Sequence, residues 1–364
     1  MLACICNLNK TAPFDRHLLA DTPERFNRSK LGLNAILALH EAANTMTGQT
    51  HRAPIGGISA EFGYYPIHCD METDQFSILT LSGHEARVST IIGDESVIKD
   101  WLYPGAQQHL DFTSGNLRSM PYSARVFGLP KTHVLRLHRS ESQDDIGFVV
   151  WCLSFFTGMR LTTTDRGFLD ATPIRPGKLV DFALHRCTVT DAIQLALNFL
   201  ERERGDPYAP KRVAAVIHAL FLAQYPQNLP FEQFQYLYMA LDACFKLLEV
   251  KESPKFRKPH AGRIQWMCEK FDIPVPKWAE STITDPSFLS LVRNNTIHEA
   301  LFFDEPLGFS IYGGNKPDVS PANVTLQMKA LVCRLLVAIL GRSDVSYVKS
   351  AVNTRMIQSL ELNA

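Results

Sequence analysis

The spacing of apolar positions along the chain changes near residue 144. Between about residues 54 and 139, short aromatic and β-branched runs alternate with turn residues, which predicts strands. The predicted strands are Phe62–Ile67, Phe76–Leu81, Ala86–Ile92 and Val134–Leu137. The run Val97–Leu102 is instead interpreted as a short helix that ends at Pro104-Gly105.

Helical spacing dominates the sequence beyond residue 144. Ile146–Phe156 is apolar on nearly every side, which predicts a buried helix ending at Gly158. Residues 161–180 are predicted as loop and short strand, and Asp191–Arg204 as an amphipathic helix. The run Gly205-Asp206-Pro207 then predicts a domain boundary. Beyond it we predict helices at about 211–224, 230–250, 261–271, 286–303 and 322–341.

These elements predict an α+β protein, in which a β-containing N-terminal region precedes a C-terminal helical bundle. The predicted segments are a mixed α/β region over 1–205, a helical domain over 206–343, and a weakly defined tail over 344–364. In the first segment, Thr22-Pro23-Glu24 has the residue types of a helix start, so a further helix is predicted from there to Met46.

Composition limits the kinds of binding site and the cellular location that are expected for this protein. Lys plus Arg and Asp plus Glu both number 37, so any nucleic-acid binding must use a local patch. The eight cysteines include no Cys-x-x-Cys pair, which favours a reducing cytoplasm. No uncharged apolar stretch reaches the roughly 20 residues of a membrane span, so no membrane is expected. Nucleotide-binding loops and metal-ligand spacings are missing from the sequence, so neither a cofactor nor a metal is expected.

One run in the predicted helix 286–303 carries side chains that could take part in catalysis, namely Arg293-Asn294-Asn295-Thr296-Ile297-His298. At 100° per residue, Asn294 and His298 lie one turn apart, and Arg293 lies about 140° from His298. Ile297 and Leu301 lie off the apolar stripe that should face the core, which suggests a second buried contact. A subunit interface would provide that contact, so we predict a homodimer that packs through this helix.

The segment from about Phe231 to Gly341 resembles HEPN domains, which are helical bundles of prokaryotic defence and toxin proteins. Their ribonuclease members carry Arg, a following polar residue and a His at the spacing of Arg293, Asn294 and His298. The resemblance implies a dimer with a composite site, accompanied by an acidic residue from an earlier helix, for which Asp242 is the candidate.

A β-rich region followed by such a segment also resembles the ApeA-type anti-phage proteins. By analogy, the N-terminal region would sense a trigger, which the sequence leaves unknown. The resemblance therefore implies a toxin-like or anti-phage effector that cuts RNA.

The residue types suit RNA cleavage without a metal. His298 can transfer protons near neutral pH, Arg293 can bind two phosphate oxygens, and Asn294 can orient His298. The cluster that consists of Lys255, Arg257, Lys258 and Arg263 is a candidate RNA-binding track.

Structural or non-catalytic roles stay open for each of these residues. The basic cluster could be a solvated face, and Asp242 could form a structural salt bridge. Arg293 and His298 could merely solvate an exposed helix face. The domain as a whole could be a non-enzymatic HEPN module for interaction or RNA binding.

Overall fold

The computed structural model describes residues 57–123, 125–185, 188–253, 255–282, 287–294, 321–352 and 357–362. The chain divides near residue 55 into two units, and all of the described residues belong to the second. The predicted helix from Thr22 to Met46 lies outside the described residues, as do Ile297, His298 and Leu301.

The described strands lie mostly in the N-terminal half. In chain order they are β1 (Ile58–Phe62), β2 (Met71–Glu72), β3 (Phe76–Thr80), β4 (Val97–Ile98), β5 (Trp101–Leu102), β6 (Ala106–Leu110), β7 (Leu117–Ser123), β8 (Val126–Phe127), β9 (His133–Leu137), β10 (Phe168–Leu169), β11 (Thr172–Pro173), β12 (Phe182–Leu184) and β13 (Gln358–Leu360).

The described helices lie mostly in the C-terminal half. They are α1 (His84–Ile92), α2 (Gln143–Thr157), α3 (Val189–Arg202), α4 (Ala209–Leu222), α5 (Pro230–Glu249), α6 (His260–Lys270), α7 (Phe288–Arg293) and α8 (Pro321–Leu340). The 3-10 turn Lys277–Ala279 lies between α6 and α7. Together with the strands, these helices confirm the predicted α+β class.

The largest described sheet has the order β1-β9-β3-β2, with antiparallel pairs throughout. Central strand β9 alternates buried and half-buried residues, and His133, Leu135 and Leu137 are the buried ones. This alternation gives the sheet one inner face, which packs against α2. Helix α2 is buried over most of its surface and ends at Gly158, in the left-handed conformation with φ 62°, as the sequence predicts.

Two local predictions give the wrong type of element, and a third has the wrong bounds. The strand expected at Phe62–Ile67 overlaps β1 only at Phe62, and the rings of Tyr64 and Tyr65 are buried outside any strand.

Ala86–Ile92, expected as a strand because of its β-branched residues, belongs to α1. His84, Val88 and Ile91 recur there at helical spacing and are the residues that face the core, so burial overrides β-propensity.

The second wrong prediction is the helix at Val97–Leu102, which forms the hairpin β4–β5. Its two turn residues, Lys99 and Asp100, both have positive φ, at 52° and 67°, which suits a tight two-residue hairpin turn. The Asp100 carboxylate binds Arg175 and Lys178 at 3.1 and 2.8 Å, which holds this turn against the loop after β11.

The helical predictions beyond residue 144 are confirmed to within three residues, apart from the span 286–303, of which only residues 287–294 are described. Gly205-Asp206-Pro207 forms the turn between α3 and α4. Buried apolar residues from both sides of this turn form one core. Separate folding of residues 206–343 therefore stays a prediction.

The C-terminal segment, for which the sequence predicts only a weakly defined tail, is packed where it is described. Strand β13 pairs in parallel with β12, and Tyr347 and Leu360 are buried. The fully buried Arg334 of α8 holds this segment through Asp181, with Nη1 to Oδ2 at 2.8 Å, and through the Ser350 carbonyl at 2.9 Å. None of the described helices is long and apolar enough to cross a bilayer.

Candidate functional site

The candidate site is built on one edge of helix α5. Its first turn is fixed by Glu232, whose carboxylate accepts the Leu229 backbone N–H at 2.8 Å. Apolar residues at helical spacing then bury the inner face of the helix, namely Phe234, Leu237, Leu241, Cys244 and Leu248. Tyr238, Asp242 and Phe245 form a second row at spacings of four and three residues, with Asp242 at the rim.

Asp242 is paired with an arginine from the next helix. Its Oδ1 accepts a hydrogen bond from Arg263 Nη1 of α6 at 2.7 Å. The Arg263 guanidinium carbon lies 4.5 Å from the centre of the Phe245 ring, and Arg263 Nε donates to the Lys258 carbonyl at 3.4 Å. Only 16% of the Arg263 side chain is exposed. The structural salt bridge that the sequence left open for Asp242 is therefore present.

Arg293 approaches the same row of α5 from α7. This short helix is capped by Ser287, whose side chain accepts the Ser290 N–H, and it buries Leu289 and Val292. Arg293 is left at the rim, with its guanidinium carbon 5.9 Å from the centre of the Tyr238 ring. Its Nη1 donates to Asn294 Oδ1 at 3.0 Å, so the first two residues of the motif contact each other.

The pKa of Tyr238 depends on all three of these charged side chains. Burial of the ring is the main reason why the pKa of Tyr238 is raised, and the Asp242 carboxylate raises it further. Arg293 and Arg263 oppose that rise in the pKa, so both arginines act on the same phenol. We call Tyr238, Asp242, Arg263 and Arg293 the Tyr238 cluster. It brings two guanidinium groups to one edge of α5, and a guanidinium is a group that binds phosphate.

The predicted RNA-binding residues differ in how far they are exposed. Lys255 and Arg257 are exposed in the loop between α5 and α6. Lys258 is half-buried, and its aliphatic stem lies over Gly262. Arg263 belongs to the Tyr238 cluster instead. The exposed part of the predicted track is therefore the loop residues Lys255 and Arg257.

The chain was compared with family models, with curated proteins and with solved structures. No match was found. The resemblance to HEPN domains therefore rests on the residues of this chain alone. Within the described ranges, no three His, Cys, Asp or Glu side chains are grouped so that they could hold a metal ion.

Sequence reasoning missed the role of Tyr238 and the pairing of Arg263. Sequence analysis does not single out Tyr238, although it precedes Asp242 by one helical turn. That spacing is the one signal that could have linked the two residues, because side chains four residues apart on a helix are neighbours. Arg263 carried no comparable signal, since its contact with Asp242 depends on how α6 packs on α5.

Proposed function

We propose that the protein is a metal-independent endoribonuclease, in which Arg293, Asn294 and His298 cleave RNA through attack by its own 2′-hydroxyl. The observation that carries the proposal is the Tyr238 cluster. It gathers Arg293 of the motif and Asp242, the predicted acid from an earlier helix, around one phenol.

The proposed chemistry uses few protein groups. The 2′-oxygen forms a bond to the neighbouring phosphorus while the bond from phosphorus to the 5′-oxygen breaks. One proton leaves the 2′-hydroxyl and another is delivered to the departing 5′-oxygen, and His298 is the candidate for this exchange. Arg293 would stabilise the charge on the phosphorane oxygens. Its hydrogen bond to Asn294, at 3.0 Å, restricts the direction in which the guanidinium points.

The wider function follows from the resemblance. The protein would act in the cytoplasm as a toxin-like or anti-phage effector, with the N-terminal region as the sensor of a trigger. A homodimer packed through Ile297 and Leu301 would bring two copies of the motif together. Exposed Lys255 and Arg257 would guide RNA toward the Tyr238 cluster.

A second candidate function is an RNA-binding module that does not cut. It is favoured by the pairing of Asp242 with Arg263, since this contact already engages the carboxylate that an active site would use. In this case Arg293 and the exposed loop residues would still hold phosphate, and no covalent step would follow.

Incubation of the purified full chain with single-stranded RNA and with DNA of the same sequence separates the two functions. The nuclease should cut RNA alone and should keep its activity in excess EDTA. Arg293→Ala and His298→Ala should each lose at least about 10²-fold in rate, as for other key acid–base or charge-stabilising groups. Arg139→Ala is the matched control, because Arg139 forms an exposed pair with Asp74 on the sheet. RNA that is bound and left intact would support the binding module.

A further inference from the structure

We propose that Arg160, His218 and Tyr225 form a second site, which binds a phosphate group beside the ring of Trp151. We call these four residues the Arg160 site. It shares no residue with the Tyr238 cluster and does not depend on the proposed function. Its ligand is inorganic phosphate or a small molecule that carries a phosphate group.

The Arg160 guanidinium is held against an aromatic ring. Arg160 follows the end of α2, and its guanidinium carbon lies 3.6 Å from the centre of the Trp151 ring on that helix. Such a contact covers one face of the guanidinium and leaves the nitrogen atoms at its edge. Nη1 donates to the Leu161 carbonyl. Nε and Nη2 form no hydrogen bond with the described residues and are not buried, so they can bind two oxygens of a phosphate.

Arg160 has no counter-ion in the described part of the chain. No carboxylate there forms an ion pair with it, and the Tyr225 phenol is the group whose charge would favour the protonated guanidinium. Burial lowers the pKa of Arg160 to about 10, although the side chain still carries its charge at neutral pH. A half-buried guanidinium has lost part of its hydration without gaining an ion pair. A bound anion would provide the missing charge.

Two further hydrogen-bond donors lie beside this guanidinium. His218 of α4 contacts the same Trp151 ring edge-on, with the ring centres 5.4 Å apart. Burial lowers the pKa of His218, and Arg160 lowers it further. Tyr225 follows the end of α4, and burial raises the pKa of Tyr225 to about 12 while Arg160 opposes that rise. Both side chains are half-buried, and neither forms a hydrogen bond within the described ranges.

Two neighbouring charged groups are engaged by other partners. Asp170, which also acts on Tyr225, is bound by Arg125 at 3.2 Å. Lys131 lies close enough for Arg160 to lower its pKa, and its Nζ donates to two backbone carbonyls of the loop 162–164. The donors that remain are the guanidinium edge, the imidazole and the phenol, from three segments of the chain. Donors from three directions suit a tetrahedral phosphate better than a planar carboxylate, which a guanidinium can bind by itself.

Titration calorimetry of the full chain with inorganic phosphate, at constant ionic strength, tests the site. Arg160→Gln should weaken the affinity by about tenfold or more, because it removes the charge and the paired donors. Tyr225→Phe keeps the ring and removes one hydrogen bond, so it should weaken the affinity by about threefold. The matched control is Arg212→Gln on α4, since Arg212 also lies over an aromatic ring but is paired with Asp206.

The same titrations in an Arg293→Ala background separate this site from the Tyr238 cluster. Binding that survives Arg293→Ala and is weakened by Arg160→Gln supports the inference, whether or not the protein cuts RNA. Adenosine 5′-monophosphate distinguishes the two sources of the phosphate group, because a site for an ester should bind it more tightly than inorganic phosphate.

Two results would overturn the inference. One is the absence of binding at millimolar phosphate, and the other is a folded Arg160→Gln protein with the affinity of the wild type. In either case Arg160 serves only to pack against Trp151 at the end of α2. Thermal melting shows whether Arg160→Gln is folded. If it is not, Tyr225→Phe decides, and an unchanged affinity in that variant overturns the inference.

Discussion

Acid should destabilise this protein through one buried histidine of the sheet β1-β9-β3-β2. His133 opens strand β9, is fully buried, and has the rings of Phe62 and Tyr65 at 5.5 Å and that of His84 at 5.3 Å. Its Nδ1 is hydrogen-bonded to the Thr132 hydroxyl at 2.9 Å. Aromatic rings and a hydroxyl suit a neutral imidazole better than a protonated one.

The size of the effect follows from the shift in pKa. Burial, followed by the neighbouring His84, lowers the pKa of His133 from 6.5 to about 4, although the Ile67 backbone and Asp70 partly oppose the shift. Above pH 6.5 His133 is neutral in both the folded and the unfolded state. Below it the unfolded state binds the proton first, so stability falls until about pH 4. The complete loss is about 3 kcal/mol, of which about 2 kcal/mol should appear between pH 7 and pH 5.

Urea denaturation of the wild type and of His133→Phe at pH 7 and pH 5 measures this contribution. The variant loses some stability at both pH values because its ring must be accommodated, but the free energy of unfolding should depend less on pH by about 2 kcal/mol. His185→Gln is the control, since His185 is half-exposed beside Glu361. An equal pH dependence in the wild type and in His133→Phe would refute the reasoning.

Three further predictions concern the C-terminal segment, the RNA track and the dimer. Arg334→Met should cost about 3 kcal/mol in urea denaturation, because Asp181 and the Ser350 carbonyl lose a buried partner, whereas Arg139→Met in an exposed pair should have little effect. Partial recovery in Arg334→Met with Asp181→Leu would agree with this cause. Lys255→Ala and Arg257→Ala should each reduce the slope of log affinity for single-stranded RNA against log salt concentration by about 0.7, and unchanged slopes would remove these residues from the track. Replacing both Ile297 and Leu301 by Asp should give a monomer in light scattering, and a wild type that is itself monomeric at micromolar concentration would contradict the composite site.

Much of the fold could be predicted because burial imposes periodicity on long elements. Helices such as α2 and α5 repeat the apolar pattern over several turns, which makes the period unmistakable. The short elements α1 and β4–β5 carry too few residues for a period to emerge, so propensity misled the prediction. The order of the C-terminal segment depends on Arg334 and on pairing with β12, which are contacts between residues far apart in sequence.

The candidate site was predictable only as a set of residue types. Arg293, Asn294 and Asp242 could be selected because their chemistry and spacing resemble those of a known motif. Their partners could not be selected, since Arg263 and Tyr238 reach Asp242 and Arg293 through the packing of α6 and α7 on α5. The same packing explains why a residue expected on an exposed RNA track is largely buried.

The chemical ends of the RNA fragments test the central claim most directly. The full chain is incubated with end-labelled RNA in excess EDTA. One half of the products is treated with polynucleotide kinase, the other half is left untreated, and both are analysed by mass spectrometry. Attack by the 2′-hydroxyl predicts a 2′,3′-cyclic phosphate, or the phosphate formed when it opens, on one fragment and a 5′-hydroxyl on the other. These products should disappear in Arg293→Ala and persist in Arg139→Ala. Fragments with 5′-phosphates, or cleavage that Arg293→Ala leaves unchanged, would contradict the account.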